Sequence, residues 1–186
     1  MTKVKICGIQ TPVEAEYLNC NEVDYAGIVL YEKSKRYVPI NKTKEILEKL
    51  NQNITKVAVA VSPEETMMHK VLRAGFDAIL LDAEKYGSGQ TFGWDSEDAG
   101  RQIKQTMTQA ESTKSQIEML QKFRERLKAH GILFVLAGGL CADNVSEGIR
   151  IFEPDIVDVS SGVENEHGKD EEKIRIFIKK TKRNPK

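Results

Sequence analysis

Several chemically reactive side chains in this sequence stand at the ends of short apolar runs. Cys7 follows Val-Lys-Ile, Asp82 follows Ala-Ile-Leu-Leu, and Arg36 lies in a basic loop after another such run. Two further runs end in small residues, at Gly138-Gly139 and at Ser160-Ser161-Gly162. Backbone N–H groups at such loops, with a helix N-terminus behind them, can hold a phosphate. A soft base, an acid, a cation and two anion-binding loops suit proton transfer on a small phosphorylated, carboxylated molecule.

Each of these side chains also has an ordinary structural explanation. A cysteine in a buried strand usually behaves as a small apolar residue, which would account for Cys7. Arg36, in a lysine-rich loop, would simply be solvated. Asp82 is the least ordinary, because a carboxylate at the end of an apolar run is costly unless it is paired or exposed at the rim. For Asp158, inside a predicted strand, a structural hydrogen bond and a functional role remain equally open.

The apolar runs that carry these residues alternate with helical patterns. Strands are predicted at residues 3–9, 25–31, 56–61, 76–82, 132–137 and 157–160. Helices are predicted from Thr11-Pro12, at 41–50, from a cap at 62–65 through about residue 74, and at 144–152 and 170–180. This alternation predicts an α/β protein with a parallel sheet. Because the carboxyl ends of parallel strands carry the functional site, we expect the reactive side chains to converge there.

The alternation is interrupted in the middle of the chain. Residues 86–92 have the composition of a loop, and residues 96–130 contain no strand pattern. Apolar residues there recur at helical spacing, which predicts one long helix or two helices with a break near 112–115. Six strands are therefore visible, whereas a (β/α)8 barrel has eight strands and typically about 250 residues.

Bulk composition excludes several classes of protein. With 186 residues the chain is expected to form one domain spanning 1–186, and Lys plus Arg equals Asp plus Glu at 28 each. We therefore expect neither nucleic-acid nor membrane partners. The N-terminus has no apolar signal segment, and the three cysteines show no CxxC spacing, so we expect a cytoplasmic protein without a metal site. Cys20 and Cys141 are expected to be inert.

Five blocks, in order along the chain, resemble phosphoribosylanthranilate isomerase, a (β/α)8-barrel enzyme of tryptophan biosynthesis. They are residues 3–9, 33–37, 80–92, 136–140 and 158–164. The resemblance implies an Amadori rearrangement, an intramolecular aldose–ketose oxidoreduction by general acid–base catalysis without a cofactor. Cys7 would be the general base and Asp82 the general acid. Arg36 would pair with the carboxylate of the phosphorylated small-molecule substrate. The remaining substrate-binding residues implied are Gly87, Ser88, Gly89, Gly138, Gly139, Asp158, Ser160, Ser161 and Gly162.

The sequence departs from this family in its middle part. Residues 72–79 resemble the lead-in to the family's fourth strand, yet they continue directly into Leu80-Leu81-Asp82, the end of the sixth. We therefore expect an incomplete or rearranged barrel of about six parallel strands, with a long helical insertion at 96–130. Such a barrel has unpaired edges. The insertion would fill the gap in a monomer, or two chains would complete each other in a homodimer, including one with swapped segments.

Three functions are compatible with this pattern. The first is an active isomerase, and the second is a phosphosugar-binding variant of the fold with little or no activity. The third is a related ribose-phosphate barrel enzyme with another substrate, such as the aminoaldose isomerase of histidine biosynthesis. It is disfavoured because that family normally uses paired aspartates, whereas the first strand here offers Cys7.

Overall fold

Six parallel strands form the central sheet of the protein in a computed structural model that describes residues 1–82 and 124–182. They are β1 (Lys3–Cys7), β2 (Tyr25–Val29), β3 (Thr55–Val61), β4 (Ala78–Asp82), β5 (Val135–Ala137) and β6 (Ile156–Val159). Their order across the sheet is β4-β3-β2-β1-β6-β5, and every pairing is parallel. The sheet curls into a half-barrel. The predicted incomplete barrel of six parallel strands is therefore confirmed.

Helices connect these strands, as the alternating pattern predicts. They are α1 (Pro12–Asn19), α2 (Thr43–Lys49, after a 3-10 turn at Ile40–Lys42), α3 (Glu65–Ala74), α4 (Val145–Phe152) and α5 (Glu171–Lys182). The predicted start of α1 is confirmed in detail. The Thr11 hydroxyl accepts from the Glu14 N–H at 3.2 Å, and the Glu14 carboxylate accepts from the Thr11 N–H at 3.1 Å. This capping box satisfies two amides at the helix start.

The apolar core lies between the sheet and its helices. Alternate residues of β1, Val4 and Ile6, are fully buried, and so are Ile28 of β2 and Phe177 of α5. The other side chains of β1, Lys3, Lys5 and Cys7, project from the opposite face, because successive strand residues point to opposite sides. The polar site is therefore built on the face that the helices do not cover.

One predicted boundary is wrong by three residues. The strand predicted at 132–137 is only Val135–Ala137, because the backbone of Phe134 pairs outside the ladder: its N–H donates to the Asp155 carboxylate and its carbonyl accepts from the Asp155 N–H, each at 2.9 Å. The cap of the third helix, predicted at 62–65, is confirmed: α3 begins at Glu65 with Glu64 as its N-cap, and Ser62 before it has a left-handed φ of 42°.

The predicted helical stretch at 96–130 is tested only in its last part. Residues 124–129 are helical, while the rest of it, together with the Gly87-Ser88-Gly89 loop, lies outside the described residues. A short antiparallel hairpin, β7 (Glu164–Asn165) and β8 (Gly168–Lys169), follows β6. No helix in the described ranges is long and apolar enough to cross a membrane.

Candidate active site

The carboxyl end of β1 carries Cys7 beside a buried ion pair. Lys5 stands opposite Asp158 in the register of β1 and β6, and the Lys5 Nζ lies 2.7 Å from an Asp158 carboxylate oxygen. The two side chains are only 6% and 13% exposed. A buried charge of either sign is costly alone, so each side chain keeps the other in place.

A second ionic cluster joins the loop after β2 to the hairpin after β6. Arg36 donates to both oxygens of the Glu164 carboxylate, from Nε at 2.6 Å and from Nη2 at 2.8 Å. The Lys169 Nζ donates to the same carboxylate at 2.5 Å, and the Lys169 side chain is 1% exposed. Planar, two-point pairing fixes the orientation of a guanidinium group. Glu164 therefore holds Arg36 in one position near the strand ends.

Gly8 allows this cluster to approach Cys7 closely. A Cβ at Gly8 would lie 2.3 Å from the Arg36 Cδ, and the φ of Gly8 is +83°. Any side chain there would displace the arginine and strain the backbone. The Ser160 hydroxyl completes the link, since it donates to the Cys7 carbonyl at 2.9 Å and accepts from the Lys169 Nζ at 3.3 Å.

The two glycine loops meet at the ends of β5 and β6. Cys141 and Gly162 form an isolated parallel bridge, and a Cβ at Gly162 would lie 2.0 Å from the Leu140 carbonyl oxygen. Gly138 and Gly139 both have positive φ, at 93° and 63°. The Asn144 side chain ties the first loop to the start of α4 by donating to the Gly139 carbonyl at 2.9 Å. The predicted juxtaposition of the two loops is confirmed.

Asp82 lies elsewhere on the sheet. Within the described residues it ends an edge strand, β4, and pairs in register with Val61 of β3. Following the register through β3 and β2 to Cys7 places Asp82 on the same face of the sheet as the thiol. Three strand spacings separate β4 from β1, about 14 Å across the sheet. The structure thus brings Cys7, Arg36, Asp158, Ser160 and the glycine loops together, but not Asp82.

The charged groups of the site perturb one another's ionisation. Burial raises the pKa of Glu164, but hydrogen bonds from Arg36 and Lys169 outweigh it and lower that pKa to about 2. Burial lowers the pKa of Lys169 despite its pairing with Glu164. For the Cys7 thiol, burial raises the pKa, and the positive charge of Lys5 opposes that rise. Glu164 is therefore ionised near neutral pH, whereas Cys7 is biased towards the thiol.

Sequence reasoning missed three members of this site: Lys5, Glu164 and Lys169. Lys5 could have been identified from the sequence. A lysine two residues before Cys7 in an apolar strand points to the same face as the cysteine and needs a partner for its charge. Glu164 lies inside the last resembling block but was given no role. Lys169 stands in a polar stretch without a distinguishing pattern. Among the described residues, no group of three or more His, Cys, Asp or Glu side chains could hold a metal ion.

This arrangement can bind an anion and move a proton at one end of the sheet. The thiol and the flanking cations face the rim, where the backbone of the glycine loops is also exposed. Such a set suits acid–base chemistry on a substrate that carries negative groups at both ends.

Comparison with known proteins identifies one family. The family model described as N-(5'phosphoribosyl)anthranilate (PRA) isomerase matches residues 63–180. The N-(5'-phosphoribosyl)anthranilate isomerase of Aquifex aeolicus is 36% identical over 202 residues, covering 98% of this chain and 99% of that protein. The isomerase of Listeria monocytogenes serotype 4a is 32% identical over 225 residues, covering 96% and 98% respectively.

Solved structures give the same result. A phosphoribosyl anthranilate isomerase in complex with reduced 1-(o-carboxyphenylamino)-1-deoxyribulose 5-phosphate superimposes with a TM-score of 0.74 at 27% identity, covering 99% of this chain and all of that one. The isomerase of Thermotoga maritima superimposes with a TM-score of 0.74 at 26% identity, with the same coverage. The chain belongs to the N-(5'-phosphoribosyl)anthranilate isomerase family.

Proposed function

We propose that this protein is an N-(5'-phosphoribosyl)anthranilate isomerase, which converts its substrate to 1-(o-carboxyphenylamino)-1-deoxyribulose 5-phosphate in tryptophan biosynthesis. The observation that carries the proposal is the cluster at the ends of β1, β2 and β6. There Cys7, Arg36 and the glycine loops converge on one rim of the sheet. Relatives of the same name match over nearly the whole chain.

The reaction needs a base, an acid and no external oxidant. Asp82 would donate a proton to the ring oxygen of the substrate, so that the bond from C1 to that oxygen breaks and C1 forms a double bond to nitrogen. The thiolate of Cys7 would then take the proton from C2, and the released electron pair would form the C1–C2 double bond and neutralise the nitrogen. The resulting enol becomes the ketone when a proton adds to C1 and the C2 hydroxyl releases its own proton. The reaction balances within one molecule once the proton held by the Cys7 thiol returns, through solvent, to Asp82.

Substrate binding would divide between the two ionic ends of the site. Arg36 would receive the anthranilate carboxylate, for which its planar donors are suited. Backbone N–H groups at Gly139, Ser161 and Gly162 would hold the phosphate, with Gly87, Ser88 and Gly89 contributing from outside the described residues. Asp158 and Ser160 would act by fixing Lys5 and the carboxyl end of β1, because their contacts are to these groups.

Turnover of synthesised N-(5'-phosphoribosyl)anthranilate tests the proposal directly. The wild-type chain should convert it, and Cys7→Ala should lower kcat by about 10²- to 10⁴-fold, the usual contribution of a general base. Cys20→Ala is the matched control, because it removes an exposed thiol far from the site in sequence and should leave the rate unchanged. Equal rates for wild type and Cys7→Ala would contradict the assigned base.

A second function, phosphosugar binding with little or no catalysis, is favoured by one observation. Among the described strands, Asp82, the assigned acid, ends an edge strand that lies three strands from Cys7. Calorimetry with reduced 1-(o-carboxyphenylamino)-1-deoxyribulose 5-phosphate separates the two functions. Binding without any turnover would support the second function, whereas turnover that depends on Cys7 would exclude it.

We also propose that the chain is a monomer or a homodimer whose copies cover each other's sheet edges. Within the described ranges, β4 and β5 each pair with one neighbour only, and Leu81 of β4 is 63% exposed. Edges of this kind invite pairing with another chain. Light scattering across a range of protein concentrations measures the mass; a dimer that dissociates on Leu81→Lys would support edge pairing, and a dimer insensitive to it would not.

A further inference from the structure

Gly27 creates a small space in which a lysine and a cysteine side chain meet. Gly27 stands opposite Cys7 in the register of β1 and β2. A Cβ at Gly27 would lie 3.1 Å from the Cys7 Sγ and 3.2 Å from the Lys5 Nζ. Lys5 and Cys7 are two residues apart on one strand and so share a face. The ammonium group and the thiol therefore approach the same point above Gly27.

Asp158 keeps the lysine in this position and charged. Its carboxylate lies 2.7 Å from the Lys5 Nζ, opposite Lys5 in the register. Burial alone would lower the pKa of Lys5, but Asp158 and Cys7 outweigh it, and the pKa lies above its ordinary value. A rotatable lysine in contact with a carboxylate on one side can offer its remaining N–H donors to a sulfur on the other.

We propose that Lys5 is a positioning residue that stabilises the thiolate form of Cys7, the form that accepts the substrate's proton. The inference rests on the proposed function, since it concerns the base of that reaction. A buried thiol needs a nearby cation to ionise. Four charged or titratable groups act on it: Lys5 on its own strand, Asp158 on β6, Lys169 on β8 and Arg36 in the loop after β2.

These four groups do not stabilise the thiolate equally. Glu164 already pairs with Lys169 and Arg36. It carries a full negative charge near neutral pH, because its pKa is about 2. Lys5 is on the same strand face as Cys7, and of the cations it has the largest effect in lowering the pKa of the thiol. Lys5 is therefore the cation to remove in a test.

The test titrates Cys7 without substrate, in protein carrying Cys20→Ser and Cys141→Ser so that one thiol remains. The rate of alkylation by iodoacetamide is measured against pH. Lys5→Met takes the counter-charge from the buried Asp158 carboxylate and so threatens folding. We therefore compare Asp158→Asn, whose amide oxygen can still accept from the Lys5 ammonium and hold it beside Cys7, with the double variant Lys5→Met/Asp158→Asn. The two variants differ only in the lysine.

In the double variant we expect the titration of Cys7 to move upward by about one pH unit, so that alkylation near neutral pH is about tenfold slower. An arginine in place of the methionine, in the variant Lys5→Arg/Asp158→Asn, should restore most of the alkylation rate. Lys3→Met is the matched control, because Lys3 projects from the same face of β1 but is exposed, and it should leave the titration unchanged. Circular dichroism verifies that each variant is folded.

The outcomes separate this inference from the proposed function. A shifted Cys7 titration in a protein that shows no turnover would support the role of Lys5 and contradict the isomerase activity. Turnover by the wild type with the same titration in both Asp158→Asn and the double variant would overturn the role of Lys5 and leave the activity intact. In an active enzyme, the pH profile of kcat/KM should shift in the same direction as the alkylation profile.

Discussion

The centre and the edge of the sheet differ in how far the structure prepares them for catalysis. At the centre, β1, β2 and β6 each have two neighbours, and their carboxyl ends carry charged side chains locked by short hydrogen bonds. At the edge, β4 has one neighbour among the described strands, and Leu81 is exposed. Within the described residues, the base and the proposed carboxylate site are thus positioned by neighbours on both sides, while the acid, Asp82, ends a strand that is paired on one side.

This difference follows from strand pairing. A charge within a sheet that is paired on both sides must find a partner, and the partner fixes its position. At an edge, only one neighbouring strand can supply such a partner, so fewer contacts fix the geometry of the strand end. The two halves of the proposed reaction therefore depend on different parts of the protein, and variants can test them separately.

Asp82→Asn should have the largest effect. If the edge strand delivers the acid, this change should lower kcat by about 10²- to 10⁴-fold, because the amide cannot protonate the ring oxygen. Affinity for the reduced product analogue should change little. The neighbouring Asp77→Asn, on the lead-in to β4, is the matched control. An unchanged kcat for Asp82→Asn in an active enzyme would show that another group is the acid.

Glu164→Gln should destabilise the centre of the sheet. It leaves Arg36 and the buried Lys169 without a counter-charge, so we expect the free energy of unfolding to fall by about 2–3 kcal/mol at neutral pH. Glu172→Gln is the control, because Glu172 pairs with Arg175 on the exposed surface of α5, and this change should leave the free energy of unfolding nearly unaltered. If urea denaturation showed equal losses of unfolding free energy for Glu164→Gln and Glu172→Gln, that would contradict a special role for Glu164.

The Glu164 carboxylate should also make the free energy of unfolding depend on pH in acid solution. Its pKa in the folded protein is about 2, against an ordinary value of 4.5, so its contribution is fully present above pH 4.5 and is lost as the pH falls towards 2. Wild-type stability should therefore fall more steeply over this window than that of Glu164→Gln. Parallel slopes in denaturant titrations at several pH values would show that the pairing with Arg36 and Lys169 does not persist in solution.

Arg36→Lys should have a smaller effect, mainly on substrate affinity. Lysine keeps the charge but lacks the planar fork that pairs with Glu164 through two nitrogens, so its position is less fixed. We expect KM to rise by about tenfold with kcat nearly unchanged, since the carboxylate is bound equally in the ground and transition states. A fall in kcat with constant KM would instead place Arg36 at the reacting atoms.

The sequence predicts the centre of the sheet better than its edge, for physical reasons. Continuous apolar runs ending at Cys7 and at Ser160 mark strands that are buried on both sides, and their helix-start signals, such as Thr11 with Glu14, are local. The strand before Gly138 was predicted three residues too long, because Ile132 and Leu133 are apolar yet exposed. At a sheet edge, an apolar side chain no longer indicates that its residue pairs with a neighbouring strand.

The charged partners were harder to predict than the strands. Glu164 meets Arg36 across 128 residues of sequence, and Lys5 meets Asp158 across 153. Such pairs depend on which strands become neighbours and in which register, which local patterns do not specify. The resemblance supplied the reactive residues, but only the fold shows that Cys7 and Arg36 stand beside buried charges.

Leu81→Ala should have the smallest effect and tests whether the edge is open in solution. Leu81 is 63% exposed, whereas Ile28 on β2 is fully buried. We expect Leu81→Ala to cost below about 0.5 kcal/mol of unfolding free energy and Ile28→Ala about 2–5 kcal/mol. A comparable cost for both would show that the edge is covered in solution. If that cost grew with protein concentration, the cover would be a second copy of the chain, since only association depends on concentration.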